Sequence, residues 1–371
     1  MSTGRWPPVG VPGLGRPGRP LSWYSRRVGA GRIGVVPCRT MPPPPAAAPI
    51  AGPAAIDRLT DLFADGDVLV LSGAGISTDS GIPDYRGPDG AAHNGAPMTY
   101  QRFVGSETDR RRYWARSHVG WARFAAAQPN PSHLAVAALG RQGRLTGVVT
   151  QNVDGLHSAA GSPDVIDLHG RLDRVACLTC GARRPRLEVG LRLDAVNPGY
   201  RDQVTASTGR LRPDGDVALD DTAGFRLVAC RACGGVLKPD VVYFGEHVPR
   251  ERFRTALAWL DRSRSLVVLG SSLMVGSGYR FATAAARRGV PVAIVTRGVT
   301  RADHLASLRV DAPLAEVLPP ITASLTHDPR YRRRGDEPHV LDRREAGATL
   351  TTHDPRRPPD GPHHPDRVRR H

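Results

Sequence analysis

Asp67-Val68-Leu69-Val70-Leu71-Ser72-Gly73-Ala74-Gly75-Ile76-Ser77-Thr78-Asp79-Ser80-Gly81 decides the fold. Four consecutive apolar residues, two of them β-branched, make a strand that is buried on both faces, and a glycine-rich turn comes directly after it. Ligands of an open parallel sheet bind beyond the carboxyl ends of its strands, so a turn of this kind after such a strand is a candidate site. Three more runs, Gly147–Val149, Leu266–Leu269 and Val292–Val295, are likewise succeeded by polar or Gly-rich residues. Amphipathic stretches at Ile56–Phe63, His133–Leu139, Phe253–Leu260 and Tyr279–Arg287 fall between them. This alternation predicts an α/β domain built around a parallel sheet.

Outside that pattern the chain changes character. The 371 residues carry a net charge of +16, which taken alone suggests a nucleic-acid or anionic-surface partner. Residues 1–56 hold seven Arg and no acid, and residues 325–371 hold 11 basic and eight acidic residues, so more than half of the excess lies at the two ends. Those ends also hold 19 of the 34 Pro. Both read as disordered tails, 1–56 and 325–371, flanking a core at 57–324. Lys238 is the only lysine beside 50 arginines, a bias that reads as coding pressure rather than as a binding patch. Nucleic acid is therefore not expected as a partner. No apolar run approaches the 18 or so residues of a membrane span, so no membrane partner is expected either. The Arg-rich amino end resembles a presequence, but its Pro and Gly break any amphipathic helix, and Met41 offers an alternative start. A cytoplasmic monomer with dispensable ends is the expectation.

Within the core, Gly73-x-Gly75 lets the backbone approach a pyrophosphate, with the amino terminus of a succeeding helix offering N–H groups; a tight turn without a ligand fits the same spacing. Asp84-Tyr85-Arg86 places a carboxylate, an aromatic ring and a guanidinium on the next loop. Gln151-Asn152-Val153-Asp154 begins where the Gly147–Val149 strand ends. These side chains suit hydrogen bonding to an amide or to ribose hydroxyls, and equally suit capping the next helix. His169, before Gly170, is a candidate general base, although a lone histidine is also an ordinary packing residue. Cys177-Leu178-Thr179-Cys180 and Cys230-Arg231-Ala232-Cys233 supply four thiolates with the spacing of a closed, structural zinc site, with two disulfides as the alternative. Cys38 lies in the amino tail. The 49 residues between the pairs exceed a simple ribbon, so a module of about 170–240 with its own loops is read as an insertion in the sheet domain.

Taken in order, the glycine loop with Gly81-Ile82-Pro83-Asp84-Tyr85-Arg86, Thr150-Gln151-Asn152-Val153-Asp154, His169-Gly170, the paired cysteine knuckles, Lys238-Pro239-Asp240-Val241-Val242-Tyr243-Phe244-Gly245-Glu246 and Gly270-Ser271-Ser272-Leu273 resemble a sirtuin. The resemblance covers roughly Ile56–Ile321. Arg112-Tyr113-Trp114-Ala115-Arg116, Gln128-Pro129-Asn130-Pro131 and the long insert look most like the class II branch, the sirtuin-four type. The resemblance implies a Rossmann-like domain with an inserted zinc-ribbon and helical module. It also implies a protein lysine deacylase that consumes NAD and carries one structural zinc ion. In the family the acyl oxygen attacks the nicotinamide ribose, nicotinamide leaves, and the acyl group ends on ADP-ribose. His169 matches the general base for a ribose hydroxyl, with Asn152 and Asp154 at the ribose and nicotinamide and Gln151 beside them. Gly73, Ala74, Gly75, Asp84, Tyr85 and Arg86 match the loop over NAD, and Gly270, Ser271 and Ser272 match further cofactor contacts. Val242, Phe244, Gly245 and Glu246 match the segment that pairs with an acyl-lysine protein substrate.

Two positions depart from the family. Thr296-Arg297-Gly298 stands where Asn-x-Gly usually grips a ribose, and Leu314 stands where a cysteine usually lies beside the adenine. No Tyr-x-x-Arg occurs between Gly87 and Phe103, so an uncharged acyl chain is expected. The same pocket also admits mono-ADP-ribosyl transfer to protein, or a non-catalytic NAD-responsive module.

Overall fold

A computed structural model describes residues 49–50, 52–85, 97–205, 212–217, 219 and 221–331. In chain order the strands are β1 (Pro49–Ile50), β2 (Val68–Ser72), β3 (Leu145–Thr150), β4 (Val165–Asp167), β5 (Gly170–Cys177), β6 (Arg183–Pro185), β7 (Leu237–Val241), β8 (Ser265–Leu269), β9 (Val292–Val295) and β10 (Leu308–Val310). The helices are α1 (Pro53–Asp65), α2 (Tyr100–Gly105), α3 (Glu107–Ala125), α4 (Pro131–Arg141), α5 (Leu156–Ala159), α6 (Arg186–Val196), α7 (Tyr200–Thr205), α8 (Arg250–Asp261), α9 (Gly276–Arg287) and α10 (Leu314–His327). The four strands and four helices expected from the apolar pattern are all present. The ordered elements reach further than 57–324: α1 starts at Pro53, and a short turn at Pro329–Tyr331 comes after α10. Most of the two expected tails, with Cys38, and Arg86 with the segment 87–96 lie outside the described residues.

The main sheet runs β1-β10-β9-β8-β2-β3-β4, with every pairing parallel. Successive strand residues face opposite sides, so each apolar run feeds two cores. Val68, Val70, Val148 and Val267 face α1, α4 and α10, where Leu59 and Phe63 of α1 are fully buried. Each of those two side chains contributes roughly 1.5–3 kcal/mol relative to exposure. Leu69, Leu71, Val149, Leu266 and Val268 face the other way, onto Ala256 and Leu260 of α8 and Phe281, Ala282 and Ala285 of α9.

Strand order fixes where a ligand fits. From β2 the chain moves out to β3 and β4; from β8 it moves the opposite way, to β9 and β10. The loops leaving these two neighbours therefore diverge, and a crevice opens between them.

A second, antiparallel sheet, β6-β5-β7, carries the cysteine pairs. Its core draws Leu172 and Val175 from β5, Val189 and Leu193 from α6, and Phe103, Tyr113 and Phe124 from α2 and α3. The small module thus includes residues near 98–127 as well as the insertion at 170–240. Trp114 ties the parts by donating to the Leu237 carbonyl at 3.1 Å. Arg186, 1% exposed, lies over the Trp114 and Trp121 rings at 4.7 and 5.2 Å and donates to the Ser117 carbonyl and hydroxyl. The ring faces and these acceptors offset part of the cost of burying a guanidinium.

Candidate active site at the sheet crevice

The glycine loop meets the loop leaving β8 at the centre of the crevice. Gly73 N donates to Leu269 O at 3.0 Å, and Gly75 N donates to Gly270 O at 2.8 Å. A Cβ on Gly75 would lie 2.9 Å from Gly270 O, and one on Gly73 would lie 2.7 Å from Ser271 Cβ. The approach that demands glycine is therefore loop against loop, where the spacing alone suggested backbone against ligand. The chain continues as a pair of 3-10 turns, Ala74–Ile76 and Thr78–Ser80, in place of the expected longer helix. Asn130, the N-cap of α4, fixes both turns by donating to Ile76 O at 2.7 Å and Ser80 Oγ at 3.0 Å.

Beyond β3, Asn152 donates to Gly73 O at 3.1 Å and Ser77 Oγ at 3.0 Å, so the second strand end holds the first loop in place. Asp154 accepts from Ser77 Oγ at 2.8 Å and from Leu156 N at 2.9 Å, which makes it both a brace for the loop and a cap for α5. Burial raises its carboxyl above the ordinary range. Beneath lie two buried histidines, His133 and His157, with rings 5.0 Å apart. Burial pushes them down to about 4 and about 3, so both are neutral. His157 Nε2 meets Ser72 Oγ at 2.8 Å, and that hydroxyl donates to Thr150 Oγ1.

His169 stands between β4 and β5 on the crevice wall. Its Nδ1 is 2.8 Å from the Gln151 carbonyl, an acceptor only, so in the neutral ring Nδ1 carries the proton. Nε2 is then the basic nitrogen, and it faces Ser277 Oγ at 2.7 Å. Burial lowers this imidazole to about 4, with the Arg252 charge adding to the effect against the bond to Gln151. Gly170 comes next with φ +81°, and a Cβ there would lie 2.0 Å from Asp240 O; only glycine lets β5 start against β7 directly after the histidine.

Val242 N donates to the His169 carbonyl at 2.7 Å, which registers the next segment to the base. Phe244 bridges Thr99 and its carbonyl accepts from Tyr100 N at 2.9 Å. Gly245 has φ +79° and its carbonyl accepts from Gln101. Glu246 turns inward, accepting from Tyr243 N at 2.9 Å and pairing with Lys238 Nζ at 3.0 Å. Lys238 is 5% exposed and lies over the Tyr243 ring. On the other flank, Ser271 Oγ donates to Gln151 Oε1 at 2.7 Å. The Thr296-Arg297-Gly298 turn is held by buried Arg309, which donates to the Thr296 and Gly298 carbonyls and pairs with Asp303 at 3.1 Å.

These elements enclose a cavity of about 1300 Å³. Gly73, Ala74, Gly75, Asp84, Tyr85, Gln151, Asn152, Val153, Asp154, His169, Val242, Phe244, Gly245, Glu246, Gly270, Ser271, Ser272, Thr296, Arg297 and Gly298 all line it. Leu314 does not: it is 6% exposed and packs into the core with Val317, Leu318 and Val310, because α10 begins there and turns its apolar face to the sheet. Arg86 lies outside the described residues. The sequence reading missed Ser77, Asp214 and Ser277, which also line the cavity. Only Ser277 had a legible signal, a hydroxyl between the two glycines Gly276 and Gly278 that open a helix.

Away from the cavity, the four sulfurs of Cys177, Cys180, Cys230 and Cys233 lie within 4.8 Å of one another. Each knuckle turns on a left-handed glycine, Gly181 at φ +72° and Gly234 at φ +71°, and closes with matching bonds, Gly181 N to Cys177 O and Gly234 N to Cys230 O. Four converging soft donors fit a tetrahedral zinc ion with no position left for a substrate.

The Sir2 family model matches residues 73–277. NAD-dependent protein deacetylase 1 of Streptomyces coelicolor is 55% identical over 262 residues, 70% of this chain and 86% of the relative. A Mycobacterium avium protein of the same name is 49% identical over 281 residues, 76% of this chain and 99% of its own. Among solved structures, one described as Sir2-p53 peptide-NAD+ matches with a TM-score of 0.56 at 27% identity, over 73% of this chain and 97% of that one.

Proposed function

The chain belongs to the Sir2 family, and from that premise we propose how its own residues carry the reaction of an NAD-dependent protein lysine deacylase. NAD supplies the electrophilic ribose carbon and the hydroxyls that receive the acyl group. Gly73, Gly75, Gly270 and Ser271 form the crevice floor that takes the dinucleotide, and Asn152, Ser77 and Asp154 keep that floor in one shape. The observation that carries the reading is His169: a neutral imidazole whose tautomer is set by the Gln151 carbonyl, with its lone pair on Nε2 facing the cavity. That nitrogen takes the proton of a ribose hydroxyl, and burial keeps it unprotonated and ready through neutral pH. The thiolates of Cys177, Cys180, Cys230 and Cys233 would hold one zinc ion, which would fix the small module and leave no open position for chemistry.

The substrate is an acyl-lysine side chain that enters past Val242 and Phe244. Ile82, Phe124, Val153 and Leu172 give the cavity an apolar stretch, in which a charged acyl end would lose its hydration. This stretch selects an uncharged acyl group. A peptide panel with acetyl, propionyl, longer neutral and succinyl chains tests this; kcat/KM for succinyl should be at least tenfold below the best neutral chain, and a succinyl preference would refute it.

Four unbridged cysteines in metal-binding array support a reducing, cytoplasmic setting. Nicotinamide release should require both NAD and an acylated peptide. In His169→Ala it should fall by roughly 10²–10⁴-fold, the range for loss of a general base, and full turnover by that variant would remove histidine from the role.

A further inference from the structure

Ser277 occupies the second position of α9, where a serine hydroxyl commonly bonds the helix's own backbone. Here it reaches away from the helix to a histidine. Its Oγ lies 2.7 Å from His169 Nε2, the nitrogen left without a proton when Nδ1 donates to the Gln151 carbonyl. Ser277 is therefore the donor of that bond. The approach is built in: Gly278 packs so tightly that a Cβ would lie 2.5 Å from the Gln151 side chain, whose Oε1 in turn accepts from Ser271. One residue thus holds the imidazole through its backbone carbonyl and seats the first turn of α9 through its side chain.

We propose that Ser277 is a positioning residue for the base, holding the His169 ring with Nε2 turned to the cavity and yielding that nitrogen to the ribose hydroxyl when substrate binds. Two bonds at opposite ring nitrogens leave the imidazole one rotamer and one tautomer, so substrate meets an oriented base. The hydroxyl donates to the unprotonated ring and can turn to accept from a protonated one, so it acts on the orientation of the imidazole and not on its charge. The groups facing the imidazole from neighbouring elements are Arg252 on α8, Gln151 after β3 and Ser277 on α9; of these only Arg252 is charged.

The proposal rests on the deacylase reading, and the experiment separates the two. Nicotinamide release with NAD and acetyl-peptide is measured from pH 5 to 9 for wild type, Ser277→Ala and Ser277→Thr. Absence of turnover in wild type would sink the deacylase reading itself. With wild type active, Ser277→Ala should lower kcat by a similar factor at every pH from 6 to 9, where the ring is unprotonated in both proteins, the mark of a base that is misplaced rather than reprotonated. The fall should be about 3- to 30-fold while KM for NAD changes less than about twofold, since the hydroxyl acts on the base and not on binding. Ser277→Thr, which keeps the hydroxyl, should restore most of kcat. A Ser277→Ala profile that superimposes on wild type would overturn the proposal, as would a loss confined to KM. Nitrogen-15 NMR of histidine-labelled wild type, with the resonance assigned by its loss in His169→Ala, reads the ring directly and does not depend on the variant folding. It should show Nδ1 protonated and Nε2 an unprotonated acceptor; the reverse tautomer would overturn the proposal.

Discussion

His157 and His133 sit under the crevice floor as neutral, buried imidazoles, and their chemistry sets an acid limit on the fold. The pKa of His157 falls from 6.5 to about 3 on folding, so below about pH 6.5 the unfolded chain binds a proton that the folded chain refuses. Stability from this group is complete above pH 6.5 and is lost as pH falls toward 3. His157→Gln keeps a polar partner for Ser72 but does not titrate. Comparing urea unfolding at pH 7 and pH 5, wild type should lose about 2 kcal/mol more than the variant. Equal losses would mean that His157 takes its proton in the folded state. The same residues show what a linear reading can reach. Gln151, Asn152 and Asp154 were legible as candidates because polar residues directly after a buried strand stand at the ligand edge of a parallel sheet, and His169 because an imidazole before a glycine is a candidate base. That Asn152 and Asp154 spend their hydrogen bonds on Gly73, Ser77 and Leu156 was not legible, since those partners are set by the meeting of two loops far apart in sequence.

At the scale of elements, β2, β8 and β9 declared themselves because both of their faces are buried, which leaves unbroken apolar runs of four residues. Helices α2 and α3 were harder. A helical pattern says that one face is buried and does not say against what, and here the partner is a sheet some 60 residues further along the chain. The cysteine pairs were legible from spacing alone, and their position gives them mechanical weight: Cys177 ends β5 and Cys230 belongs to the same core as Trp114 and Phe225. Stripping zinc with a chelator, or Cys180→Ser, should lower the metal content from about one ion per chain to none and shift the emission of Trp114 and Trp121 to the red as their module loosens. Nicotinamide release should fall with it, because β7 leads directly into Val242 and Phe244. Unchanged emission after complete metal loss would show that the module stands without the ion.

For the whole molecule, the net charge of +16 means less than it first suggests. Much of it lies toward the chain ends, while arginines of the described core are committed to local partners: Arg309 to Asp303, Arg183 to Asp240, Arg288 to Asp261. The near-total use of arginine has another effect. Thioesters and acyl phosphates acylate accessible uncharged amines, and a guanidinium does not react with them. The one amine-bearing side chain of this protein, Lys238, is 5% exposed and locked against Glu246. Folded protein incubated with acetyl phosphate should give no acetyl-lysine by peptide mass spectrometry, whereas protein unfolded in urea should acetylate at Lys238. An enzyme that clears acyl marks from other proteins therefore presents no place for the same mark, and neither its own turnover nor the reactive acyl pool around it feeds back on its activity by that route.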